Sequence, residues 1–149
     1  MSNRILIVNG PNLNMLGKRE PEIYGDYTLE KLEKELTAYC KKSDLDGVCF
    51  QSNSEEKIIE FIQEQGQKAD WLVINPGGLT HTSVALRDAI LAVKIKTIEV
   101  HISNIYGREH FRRRSVTAAC CRGIVAGLGW RGYVAALDAL AGMMAERTE

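Results

Sequence analysis

The 149-residue chain carries 19 basic and 19 acidic side chains, so no net field draws it to nucleic acid or to a charged membrane surface. Its hydrophobic content of 45% and charged content of 26% suit a single globular domain, residues 1–149, long enough to bury about 68–70% of its unfolded surface. Four cysteines without CxxC spacing (Cys40, Cys49, Cys120, Cys121) read as thiols of a reducing cytosol rather than a disulfide frame or a zinc site. The first apolar run is too short for a signal peptide or a membrane span, which leaves a cytoplasmic protein as the expectation.

Ile5–Val8 is an uninterrupted apolar run and predicts a strand buried on both faces. It empties into a long irregular stretch punctuated by Gly10, Pro11, Gly17, Pro21 and Gly25 and carrying Asn12, Asn14, Lys18, Arg19 and Tyr24. A loop that long in a small domain is disordered or functional, and this one holds enough polar chemistry to read as an active-site loop with glycine hinges. Thr28 is placed to cap a helix ending near Lys41 and Lys42, with Leu29, Leu32, Leu36 and Cys40 on its inner face. A strand over Val48–Gln51 follows, then a helix capped by Ser54 and stopped by Gly66. Trp71–Asn75 is the third strand. Ser83 opens a third helix whose apolar positions wrap further round than one buried stripe requires, with Arg87 and Asp88 between them. Strands over Thr97–Ser103 and Ile124–Ala126 and a final helix from Tyr133 to Glu146 complete the chain. Alternating strands and helices imply a doubly wound, five-stranded parallel α/β sheet, for which 2-1-3-4-5 is a common order.

Three strand ends, Asn9–Gly10, Asn75–Gly78 and His101–Asn104, fall on one edge of such a sheet, where open α/β folds bind ligands. Glu99, His101 and Ser103 share a strand face, and a carboxylate beside a histidine orients it for acid or base work. With His81 the pair could instead ligate a metal, although no HxxxH or HExxH helix accompanies it. Tyr24 serves either as a base, if a cation such as Arg19 or Arg108 holds its phenolate, or as a packing anchor for the loop. Arg108, Arg112, Arg113 and Arg114 lack interleaved aromatics and suit a small anionic substrate better than nucleic acid. Gly127-Leu-Gly129-Trp-Arg-Gly132 matches G-x-G-x-x-G, yet only seventeen residues follow it, too few for a dinucleotide-binding unit. These glycines read as close packing at a strand-to-helix turn.

Three blocks together resemble the type II 3-dehydroquinate dehydratases: Asn9–Gly25, Asn75–Ser83 with Arg87 and Asp88, and Glu99–Asn104 with Arg108, Phe111 and Arg112. The resemblance implies a flavodoxin-like fold and dehydration of 3-dehydroquinate to 3-dehydroshikimate through an enolate, without metal or cofactor. By position it makes Tyr24 the base, held as phenolate by Arg19 with Arg108 assisting. It makes His101 the general acid, oriented by Glu99, and Asn12 the residue that sets a water against the enolate oxygen. Asn75, His81, Arg112 and the backbone of Ile102 and Ser103 would hold the substrate. Asp88 would reach a neighbouring subunit's site in a trimer, four trimers forming a dodecamer. His110, Gly107 and Ala118–Cys121 depart from the family's usual residues. A flavin-binding or phosphorylated signalling module would need a hydroxyl-rich or acidic first loop, and this one has Asn and Pro. A metal-dependent hydrolase is the remaining alternative.

Overall fold

The computed structural model describes residues 3–18, 22 and 27–147. Five strands, β1 (Arg4–Asn9), β2 (Asp46–Gln51), β3 (Trp71–Asn75), β4 (Lys96–His101) and β5 (Gly123–Ala126), form one sheet in the order β2-β1-β3-β4-β5. All four pairings are parallel. The helices are α1 (Leu29–Lys42), α2 (Glu55–Gln65), α3 (Val84–Val93) and α4 (Arg131–Arg147). None of the described helices is long and apolar enough to cross a membrane.

Strand alternation divides the interior in two. Ile5, Ile7, Trp71, Val73, Ile98 and Val100 face α1 and α4 through Leu32, Leu36, Tyr133, Leu137 and Leu140. Leu6, Val8, Leu72 and Ile74 face α2 and α3 through Ile58, Ile62, Leu86 and Ile90. Every residue of the β1 run Ile5–Val8 is therefore buried, as a strand covered on both faces requires.

Local chemistry sets the helix starts. The hydroxyls of Thr28, Ser54 and Ser83 accept from the amides of Lys31, Lys57 and Leu86, each satisfying an otherwise orphaned N–H. Gly66 ends α2 with an ordinary right-handed backbone, and its missing side chain serves contact instead: a Cβ there would lie 2.7 Å from a Val93 methyl. Between β4 and β5 the crossover contains only the short turns Ile105–Gly107, His110–Arg112 and Ala118–Cys120 in place of an α-helix.

Two expectations need correction. β4 stops at His101, so Ile102 and Ser103 belong to the loop beyond it, where the chain must turn towards Ile105. Of the G-x-G-x-x-G glycines, Gly127 and Gly132 pack as expected, 3.2 Å in Cβ terms from Asn104 and 3.4 Å from Val100 and Val125, whereas Gly129 has open space around it and serves the turn through its positive φ of 61°, as Gly127 also does at 87°.

At the carboxyl edge, the loops after β1 and β3 are pressed together. The Gly10 amide donates to Asn75 O at 2.8 Å, and a Cβ on Gly10 would stand 2.4 Å from the Pro76 carbonyl oxygen. Backbone cannot yield as a side-chain end can. Gly10→Ala should therefore destabilise the fold by about 3 kcal/mol, the upper range for overpacking. Urea unfolding checks this, and an unchanged midpoint would show that the two loops are not in contact.

Candidate active site

The site begins where β1, β3 and β4 end. After β1, the chain is pinned by the end of β2: Gln51 Nε2 donates to Gly10 O at 3.2 Å, and Asn53 Oδ1 accepts from the Asn12 amide at 2.9 Å. Asn12 itself takes a left-handed backbone, φ 72°, which asparagine tolerates better than most residues. Its side chain is exposed at the mouth of the crevice.

Between β1 and β3 lies a buried lock. The Tyr133 hydroxyl donates to Asn9 Oδ1 at 2.5 Å and accepts from Asn75 Nδ2 at 2.9 Å, while Asn75 Oδ1 accepts from the Gly77 amide at 3.0 Å. Burial pushes the Tyr133 phenol far up, so it stays neutral and acts as a fixed connector. Both functional groups of the Asn75 amide are thereby oriented.

Glu99 has no exposed surface and His101 is 5% exposed. Glu99 Oε2 lies 2.8 Å from His101 Nε2 and accepts from Thr80 Oγ1 and Ser115 Oγ at 2.9 Å each, while Oε1 accepts from Thr117 Oγ1. Burial alone would push this carboxyl up. Hydrogen bonds from His101, Thr117 and Ser115, with the charge of His101, outweigh it and hold the group below its ordinary 4.5. An ionised carboxylate only accepts, so Nε2 of His101 must be the donor. The other ring nitrogen, Nδ1, is the one left for a ligand.

A cavity of about 180 Å³ covers this arrangement, lined by Asn12, Asn75, His81, His101, Ile102, Ser103, Arg108 and Arg112, with Leu13 and Leu16 as apolar wall. His81 is steered by Nδ1, 2.7 Å from Arg114 O. Arg108 and Arg112 are 13% and 24% exposed, and Glu109 holds both, at 3.6 Å and 3.0 Å. Arg113 and Arg114 are exposed. The cluster therefore divides into two site arginines and two surface ones. Among the described residues no three of His, Cys, Asp and Glu are grouped to hold a metal ion.

The family model described as "Dehydroquinase class II" matches residues 3–141. The chain belongs to this family. It is 49% identical over 138 residues to the 3-dehydroquinate dehydratase of Halothermothrix orenii, covering 93% of each, and 51% identical over 135 residues to that of Pasteurella multocida, covering 91% of each. The type II dehydroquinase of Butyrivibrio crossotus superimposes with a TM-score of 0.91 at 49% identity, over 93% of this chain and 97% of that one. A 3-dehydroquinate dehydratase-like protein from Bifidobacterium longum, 28% identical, aligns with a TM-score of 0.70 over 97% of this chain and 99% of its own.

In this dehydroquinase eight of the twelve residues singled out in the sequence line one cavity, and Glu99 lies beneath it on His101. Asp88 is exposed on α3 and does not line this chain's cavity. Arg19 and Tyr24 lie outside the described residues. Sequence reasoning overlooked Thr80, Ser115, Thr117 and Tyr133. The three hydroxyls come from two stretches, the turn after β3 and the crossover before β5, and carry no motif of their own, whereas Tyr133 gave one signal: a phenol on the inner face of an apolar helix must find a partner.

Because the folded Glu99 carboxyl lies below 4.5, the stability it contributes is fully present above that pH and is lost as pH falls through the folded value. Glu99→Gln should be less stable than the parent by about 3 kcal/mol near neutrality, as for breaking a buried charge network. The gap should narrow below pH 4.5. Denaturant midpoints of both proteins across this range test it, and a gap independent of pH would mean that Glu99 is not ionised in the fold.

Proposed function

We propose that this class II dehydroquinase dehydrates 3-dehydroquinate to 3-dehydroshikimate through an enolate, with Tyr24 as base and His101 as general acid. The observation that carries the reading is the Glu99–His101 pair at the floor of a cavity walled by Asn75, His81, Arg108 and Arg112. The chemistry needs a proton removed alpha to a ketone, charge held on the resulting enolate oxygen, and a proton delivered to the departing hydroxyl. A carboxylate hydrogen-bonded to Nε2 stabilises an imidazolium and leaves the Nδ1 proton to be given away. Once the C–O bond breaks, the enolate electrons form the new double bond and His101 is left neutral.

The base works on a different carbon, so it must arrive from a different loop. Tyr24 fills that role as phenolate, stabilised by Arg19 and assisted by Arg108. Asn12 at the mouth positions a water against the enolate oxygen. Arg112, His81, Asn75 and the backbone of Ile102 and Ser103 take the carboxylate and hydroxyls of the substrate, for which a planar guanidinium is the matched partner. None of these steps uses a metal or cofactor. The assembly is a dodecamer of four trimers in which Asp88 serves a neighbour's site. Supporting this, α3 carries Val84 and Leu91, which are 58% and 50% exposed in the single chain.

The appearance of conjugated-enone absorbance on adding 3-dehydroquinate tests the reaction, and no signal at high enzyme concentration would overturn it. Tyr24→Phe should lose about 10²–10⁴-fold in kcat with KM nearly unchanged, the usual contribution of a general base. Retention of most of kcat removes Tyr24 from the mechanism. His101→Ala should still exchange the alpha proton with solvent while losing water slowly. Parallel loss of exchange and dehydration would show that the two steps do not use separate groups.

A further inference from the structure

Gln51 and Asn53 do not line the cavity, yet they hold the residue at its mouth. Asn12 opens the turn Leu13–Met15 without capping it by its own side chain, and its main chain stands in the left-handed region. A residue with a Cβ stays there only where its surroundings dictate it. At Asn12 those surroundings come from the end of β2. Asn53 Oδ1 accepts from the Asn12 amide at 2.9 Å and from Gln51 Nε2 at 3.2 Å, and Gln51 Nε2 also donates to Gly10 O at 3.2 Å. The three bonds close a bracket around Gly10–Asn12. Its root is firm, because Gln51 pairs with Asn9 and the next amide, Ser52 N, extends the ladder to Asn9 O at 3.2 Å. A main-chain amide only donates and a carbonyl only accepts, so Asn53 must present its oxygen and Gln51 its nitrogen.

We propose that Asn53 and Gln51 are positioning residues for the enolate-forming step: they fix the main chain at Asn12, and with it the direction in which the Asn12 side chain leaves the loop. This rests on the reading of Asn12 as the residue that sets a water against the enolate oxygen. The Cα–Cβ direction of Asn12 is dictated by its main chain, so a rotation there carries the side-chain amide away from that water. A dipole that stabilises a developing charge must be in place before the charge appears. Asn12 and Asn53 are exposed and Gln51 is half-buried, so water competes for these bonds and the effect of breaking one is modest. The two residues act on Asn12 and touch no reacting atom.

The test uses two amide-to-acid changes that add the same charge and differ in hydrogen bonding. Asn53→Asp keeps the acceptor, whereas Gln51→Glu turns a donor into an oxygen facing Gly10 O and Asn53 Oδ1. At an ionic strength of about 0.15 M, where exposed charges are screened, Asn53→Asp should keep kcat and alpha-proton exchange within about twofold of the parent. Gln51→Glu and Asn53→Leu should each lose about tenfold in both, with KM nearly unchanged. Exchange and dehydration should fall together, in contrast to their separation in His101→Ala. Equal losses in the two acid variants would show that charge acts rather than bond direction, and would overturn the proposal. Hydrogen exchange read by mass spectrometry on a peptide of residues 9–16 follows the bracket without turnover. The Asn12 amide should exchange about tenfold faster in Asn53→Leu and at the parent's rate in Asn53→Asp. An unchanged rate in Asn53→Leu would also overturn it. Asn12→Ala separates the two readings: full alpha-proton exchange in that variant would sink the role of Asn12 itself, whereas its loss there and retention in Asn53→Leu would sink only the positioning.

Discussion

One buried carboxylate disciplines this structure. Taking Glu99 out of water would cost several kcal/mol if its oxygens were left unanswered. The fold answers with donors from three directions: His101 two residues along its own strand, Thr80 from the turn after β3, and Ser115 and Thr117 from the crossover before β5. Those loops cannot drift independently without stranding a charge in the interior. The same anion sets the tautomer and tilt of the histidine above it. Satisfying the buried charge and orienting the histidine are therefore one set of hydrogen bonds, and no substitution at Glu99 can probe them separately.

The opposite side of the crevice is held by shape more than charge. Gly10 and Gly77 let the loops after β1 and β3 approach until backbone meets backbone, with Gly77 in the left-handed region at φ 61° and its missing Cβ 2.9 Å from Pro11 O. The cavity is thus bounded on one side by a charge network and on the other by bare main chain. The side chains that line the cavity therefore stand on fixed roots.

Much of this was legible in the residues because the governing physics is local. Thr28, Ser54 and Ser83 announce their helices through one hydroxyl each, and Ile5–Val8 declares a strand covered twice. The strand order followed from analogy with other doubly wound sheets, since no residue in β1 states which neighbours it takes. The convergence of Asn75, His81, His101 and Arg112 was readable once three strand ends were placed on one edge. The hydroxyl cage was not: Thr80, Ser115 and Thr117 are ordinary loop residues until tertiary structure brings them to Glu99. The end of β4 was misplaced for a related reason. Ile102 and Ser103 continue the alternation perfectly well, and only the turn into the next loop ends the strand before them.

The Tyr133 hydroxyl joins the last helix to the first strand, bridging a separation of 124 residues at Asn9. Contacts so distant along the chain form late, after their loop-closure entropy has been met by others. During synthesis, β1, β3 and their loops leave the ribosome long before α4 exists to orient Asn75. A nascent chain can own every residue that touches the cavity and still lack a finished floor. The floor of the cavity is therefore finished from the far end of the chain, when the last helix brings the Tyr133 hydroxyl to Asn9 and Asn75.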